Sequence, residues 1–123
     1  MPRYFSEDHE WIDVDGAVGT VGITDYAQSQ LGDITYVDLP APGQAVNKGD
    51  AACVVDSVKA ASDVYSPVSG TIEGANDALG DEPELVNSDA EAAGWLFRVT
   101  LSDPAELEAL MDRAAYDEYV AGL

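Results

Sequence analysis

A lysine amine can be joined to a carboxylic acid as an amide, which makes the side chain a long, flexible, uncharged tether. Lys59 stands where that chemistry is accessible. It lies 10 residues after Gly49 and 11 before Gly70. Both glycines fall in turn-forming clusters, so the segment between them reads as a strand, a reversal and a returning strand, with Lys59 at the far tip. It is one of two lysines in the chain, and its neighbours Ser57, Ala60, Ala61 and Ser62 are small enough to let the tip enter another protein's cavity. Placement matters as much as residue type, because a slip of one position along a strand turns the side chain to the opposite face. On its own a lysine near a β-turn is a weak signal, since most lysines are solvated surface residues.

Other reactive residue types do not assemble into a catalytic set. His9 is the single histidine and no nearby Cys or second His completes a metal site, so it reads as structural, packed near Trp11. Cys53 lies in an apolar stretch and reads as a small core residue instead of a nucleophile. Asp13, Asp15, Asp77, Asp81 and Glu82 lack the spacing of a calcium loop. No catalytic residue and no metal site is expected.

The elements that must position Lys59 are short apolar segments separated by Gly, Pro and Asp turns, the texture of an all-β sandwich or barrel. Residues 11–14 alternate and reach a hairpin turn at Asp15 and Gly16, with the return strand over 17–23. Thr24 is suited to cap a helix over 25–31 that stops at Gly32. Strands are expected over 34–39, 51–57 and 63–66, with the sheet continuing over 68–72. Residues 76–94 are acidic and irregular, with one helical turn at 83–86. Over 95–101, Trp95, Phe97, Val99 and Leu101 alternate with Leu96, Arg98 and Thr100. Asp103, Pro104 and Glu106 form the pattern of a capping box, and Leu107, Leu110 and Met111 follow at helical spacing. Tyr116, Tyr119 and Val120 do the same for a second short helix after Asp112. These tyrosines and leucines read as positions that dock the terminal helices on the sheet.

At 123 residues the chain suffices for a single domain spanning 1–123. Its 46% apolar content argues against disorder. No apolar run approaches the roughly 18 residues of a membrane span, and the first residues do not resemble a signal peptide. One cysteine rules out an internal disulfide framework and suits a reducing cytoplasm. With 24 acidic against 5 basic residues the formal net charge is −19, so nucleic acid and anionic membrane are excluded as partners. The charge admits two readings: an acidic face that docks on basic partners, or solubility in a salty cytosol where repulsion is screened. The acids are spread along the chain, which favours salt adaptation and a halophilic source.

The run VVDSVKAASDVYSPVSG over 54–70 resembles the lipoylation motif of the glycine cleavage system H-protein family. The likeness covers nearly the whole chain: HEW at 9–11, TVGITDYAQ at 20–28, LGD at 31–33, VDLP at 37–40, PELVN at 83–87, GW at 94–95 and LSDP at 101–104 all match that family in order. Biotin carriers resemble one another through methionines flanking their lysine, whereas Val58 and Ala60 flank Lys59. Lipoyl domains of 2-oxoacid dehydrogenases share the hairpin but lack the 76–94 segment and the HEW block. Asp56 departs from the Glu usual at its position.

The resemblance implies a mainly β fold, a hybrid barrel-sandwich of short antiparallel strands with short helices and a C-terminal helical segment. It implies a lipoyl carrier with lipoic acid in amide linkage to Lys59, not an enzyme. Its partners would be the glycine decarboxylase (P protein), the aminomethyltransferase (T protein) and the dihydrolipoyl dehydrogenase (L protein), with a lipoate ligase or lipoyl/octanoyl transferase attaching the arm. The family folds the loaded arm into a cleft that protects the aminomethyl group, and Glu10 and Asp63 match positions used there. An alternative is a lipoate-relay protein that passes lipoyl groups to other lipoyl domains. A third is an unmodified binding module in which Lys59 stays a free amine.

Overall fold

The computed structural model describes residues 3–123. Among the described residues nine strands form two antiparallel sheets: β1 (Arg3–Phe5), β2 (Glu10–Asp15), β3 (Val18–Ile23), β4 (Ile34–Asp38), β5 (Ala45–Val46), β6 (Ala51–Ser57), β7 (Ala61–Tyr65), β8 (Gly70–Ala75) and β9 (Phe97–Leu101). The larger sheet has the order β1-β2-β3-β9-β8-β5 and the smaller β4-β6-β7. Ile12, Val21, Ile72 and Val99 of the first meet Val37, Cys53, Val55 and Val64 of the second in one buried cluster. This is the barrel-sandwich arrangement, with alternate residues of each strand pointing into the layer between the sheets. Each fully buried valine or isoleucine there contributes on the order of 1.5–3 kcal/mol relative to exposure.

The short helices close the edges. Thr24 caps α1 (Asp25–Leu31) by accepting a hydrogen bond from the Ala27 N–H, and Gly32 ends it at φ 82°, a conformation glycine adopts without strain. Segment 76–94 holds two helical turns instead of one, α2 (Ala78–Asp81) and α3 (Leu85–Ser88), whose Leu79 and Val86 are fully buried. With buried Ala90 and partly buried Leu85, those two side chains draw an acidic stretch onto the core. A 3-10 helix over Pro104–Ala109 and α4 (Arg113–Ala121) complete the chain. Tyr116 of α4 stacks on Phe5 with ring centroids 4.7 Å apart, and together with Trp11 they form a second buried cluster. This cluster is covered by cations: Arg3 lies over Trp11, Arg113 over Phe5, and Arg98 over Trp95, which packs at its border.

Several local expectations shift. Asp15 pairs directly with Val18, so the hairpin loop is Gly16 and Ala17. The strand after Lys59 starts at Ala61, ends at Tyr65 and pairs with β6, and the next strand starts at Gly70. Alternation in the last strand starts only at Phe97: Leu96 is fully buried in the main core, while Trp95 joins the second cluster. The capping box does not close. Asp103 accepts from the Ala105 N–H, but Glu106 turns away and accepts from the backbone N–H and hydroxyl of Ser69 at 2.6 and 2.8 Å. The partner beyond the helix wins because the Ser69 turn offers two donors to one carboxylate. Strands β1 and β5 carry no pattern long enough to read from sequence.

Candidate functional site

The turn between β6 and β7 is built around Ser57. Its N–H donates to the Ala60 carbonyl, and its hydroxyl donates to that same oxygen while accepting from the N–H groups of Lys59 and Ala60. A small hydroxyl residue thus ties the reversal from within, which leaves Val58, Lys59 and Ala60 exposed. The tip is fastened from outside by the Val58 N–H donating to the Asp33 carbonyl at 3.0 Å. The methylene stem of Lys59 passes over Gly32, where a Cβ would stand 3.5 Å from its Cε. Among the described residues no carboxylate forms an ion pair with the Lys59 amine, whereas Arg3 and Arg113 are engaged with Asp13, Glu91 and Asp117.

Beside this turn, a cleft of about 330 Å³ runs between α1 and β7. Its walls include Tyr26, Ala27 and Leu31 of α1, and Glu10 and Asp63 both line it, together with Asp8. The two acids differ. Asp63 is exposed, whereas Glu10 is 3% exposed. The Glu10 carboxyl accepts from the Ser6 hydroxyl at 2.7 Å and from the Tyr65 N–H at 3.4 Å. Burial raises its pKa from 4.5 to about 7, Asp8 adds to the rise, and the Ser6 and Tyr65 hydrogen bonds oppose it. No Lys or Arg lines the cleft. It is a partly apolar slot that ends in carboxyl groups, chemistry suited to a cation on an apolar stem.

His9 forms part of the wall, at φ 67°, and packs on Tyr26 and Tyr119 instead of Trp11. Its Nδ1 is 2.8 Å from the Tyr116 hydroxyl, which is itself 2.6 Å from the Thr24 hydroxyl. Burial lowers the His9 pKa, with Asp8 opposing, and so favours the neutral ring. This seam joins α4 to the start of α1 and so fixes one end of the cleft. Sequence reading missed it, and missed Ser6 as the partner of Glu10. The one available signal was the position of Ser6 just ahead of His9 and Glu10. Cys53 is buried as expected, and burial pushes its thiol up to about 12, which keeps it unreactive. Among the described residues, no group of His, Cys, Asp or Glu is placed to hold a metal ion, and no helix is long and apolar enough to cross a membrane.

An exposed lysine on a tied β-turn, beside an acidic cleft of a barrel-sandwich, is an arrangement that suits a carrier protein. Comparison with known proteins gives the same class. The sequence model described as glycine cleavage H-protein matches residues 3–122. The glycine cleavage system H protein of Paramagnetospirillum magneticum is 60% identical over 121 residues, which cover 98% of this chain and 97% of the relative. That of Rhodospirillum rubrum is 58% identical over 121 residues, covering 98% and 96%. The crystal structure of a glycine cleavage system H protein from Mycobacterium marinum superposes with a TM-score of 0.87 at 36% identity, covering 99% of this chain and 98% of that one. The chain belongs to the glycine cleavage H-protein family.

Proposed function

We propose that this chain is the lipoyl carrier of a glycine cleavage system and that Lys59 is its attachment point. The observation that carries the reading is the Lys59 turn: an exposed lysine on a backbone tied by Ser57 and Asp33, at the end of the helix that flanks the cleft. The residues present fit the group, because Lys59 is exposed and Ser57, Ala60, Ala61 and Ser62 around it are small. Attachment is an acyl transfer in which the Lys59 amine displaces the leaving group of an activated lipoate, forms an amide and gives up a proton. Once attached, lipoate supplies a disulfide able to take up the aminomethyl fragment of glycine and later to be reoxidised.

The chain's own residues would then guard a cationic cargo. From Gly32 to Tyr26 the flanking helix advances about 9 Å, which matches a path from the tip toward Glu10. Leu31, Ala27 and Ile23 offer apolar contact along that path, and Glu10, Asp63 and Asp8 offer negative charge at its end. An ammonium arriving beside Glu10 favours the ionised carboxylate, so loading below pH 7 releases a proton from it. Catalysis belongs to the partners: the decarboxylase, the aminomethyltransferase and the dihydrolipoyl dehydrogenase. A tether raises the effective concentration of cargo at each of them without new contacts.

Peptide mass spectrometry of the protein from its native host tests the attachment, and a lipoyl or octanoyl increment on Lys59 is expected. Reconstitution with a glycine decarboxylase then tests the role. Support of glycine–carbon dioxide exchange is expected; a lipoylated chain without that support would point to lipoate relay.

A further inference from the structure

Asn87, in the one-turn helix α3, makes three side-chain hydrogen bonds, two to the loop under Lys59 and one to Gln28 in the last turn of α1. Its Oδ1 accepts from the Ile34 N–H at 2.8 Å. Its Nδ2 donates to the Gly32 carbonyl at 2.9 Å and to the Gln28 side-chain oxygen at 3.0 Å. Both amide hydrogens are used, and the orientation is forced: exchanging O and N would set the amide nitrogen against the Ile34 N–H and its oxygen against the Gly32 carbonyl. The clamp therefore grips the chain on both sides of Asp33. Asp33 is the residue whose carbonyl receives the Val58 N–H, and Gly32 is the residue over which the Lys59 stem lies. Asn87 touches neither Val58 nor Lys59 through any of these bonds, so its influence passes through residues 32–34.

We infer that Asn87 is a positioning residue for Lys59: by clamping the loop of residues 32–34, it holds the hairpin tip in the geometry an acylating enzyme needs. The inference rests on the carrier reading above. Aspartate keeps the acceptor for Ile34 but loses both donors and places negative charge against two oxygens, so Asn87→Asp removes the grip with the least change of shape. A loosened tip still reaches solvent, so its amine remains open to small reagents. An enzyme that must meet the amine in one orientation loses rate instead.

The full-length wild type, Asn87→Asp and Asn87→Ala are compared with lipoate, ATP and a lipoate ligase, with hydrogen exchange followed at the Val58 amide. Asn87→Asp is expected to lower kcat for Lys59 acylation by about tenfold with a much smaller change in KM. The Val58 amide is expected to exchange faster, while acetylation of Lys59 by a small active ester proceeds at the wild-type rate. A merely structural effect would not separate the enzyme from the small reagent. Equal enzymatic rates in wild type and Asn87→Asp overturn the inference and leave the carrier reading standing. Failure of the wild type to accept lipoate at Lys59 overturns both. The wild type supplies an independent check should the variants unfold: a Val58 amide that exchanges as fast as in an unstructured peptide also overturns the inference.

Discussion

Lys59 stands on a turn whose hydrogen bonds come almost entirely from the backbone and the Ser57 hydroxyl, and its side chain is exposed. Glu10 is 3% exposed and spends its hydrogen-bonding capacity on Ser6 and Tyr65 within the fold. Each is a charged residue in a chain of extreme charge, yet one is displayed and the other enclosed. At Lys59 the turn is tied through its backbone, and among the described residues the amine forms no ion pair, the access that the proposed covalent attachment would need. At Glu10 the fold tolerates a buried acid whose pKa has risen to about 7, and the proposed cationic cargo would lie beside it. All three arginines are used differently again, spread over the rings of Trp11, Trp95 and Phe5. Among the described residues both lysines, Lys48 and Lys59, are exposed and free of ion pairs, and what sets Lys59 apart is its tied turn beside the cleft.

The contrast breaks most sharply at the displayed residue. Lys59→Arg keeps the charge and the exposed turn but offers no amine for amide formation, so lipoylation should vanish entirely while the melting temperature stays put. Intact mass spectrometry after incubation with a lipoate ligase reads this directly.

The enclosed residue is next. Glu10→Gln retains the size of the side chain and loses the ionised form. Loss of the aminomethyl group from the loaded carrier should speed up by about tenfold, the scale of a charged hydrogen bond. The same variant sharpens the pH argument. In the wild type the folded Glu10 pKa lies above the unfolded value of 4.5, at about 7. Between those values the folded state holds a proton that the unfolded state has released, so stability contributed by this group is full below pH 4.5 and declines as pH rises toward 7. Glu10→Gln cannot titrate. Its stability relative to wild type should grow by on the order of 3 kcal/mol across that window, measured by urea unfolding at fixed pH steps. A constant difference would mean that Glu10 is solvated.

Smaller effects follow at the seam that frames the cleft. Tyr116→Phe keeps the ring stacked on Phe5 and deletes the hydroxyl between Thr24 and His9, which should cost about 1–2 kcal/mol in chemical denaturation. The smallest expected effect concerns the surface. If the net charge of −19 reflects salt adaptation, molar salt should raise the melting temperature by several degrees through screening. Equal melting at low and molar salt would remove that reading.

What the sequence determined by itself was local: where strands alternate, where Thr24 starts a helix and Gly32 stops it, and that Lys59 sits at a reversal between two strands. These follow from side-chain periodicity and backbone preference, which act between near neighbours. Family resemblance added Glu10 and Asp63 as a pair, although they stand 53 positions apart. Tertiary structure alone decided that Glu10 is buried and Asp63 exposed, because burial depends on which strands close over a position. It alone turned Glu106 from its own helix to Ser69, sent Leu96 into the core ahead of the alternating strand, and set His9 against Tyr26 and Tyr116. Asn87 is the clearest case. Nothing near it in sequence asks for an amide, since its three partners lie 53 to 59 residues earlier and meet it only once α3 has packed against the end of α1.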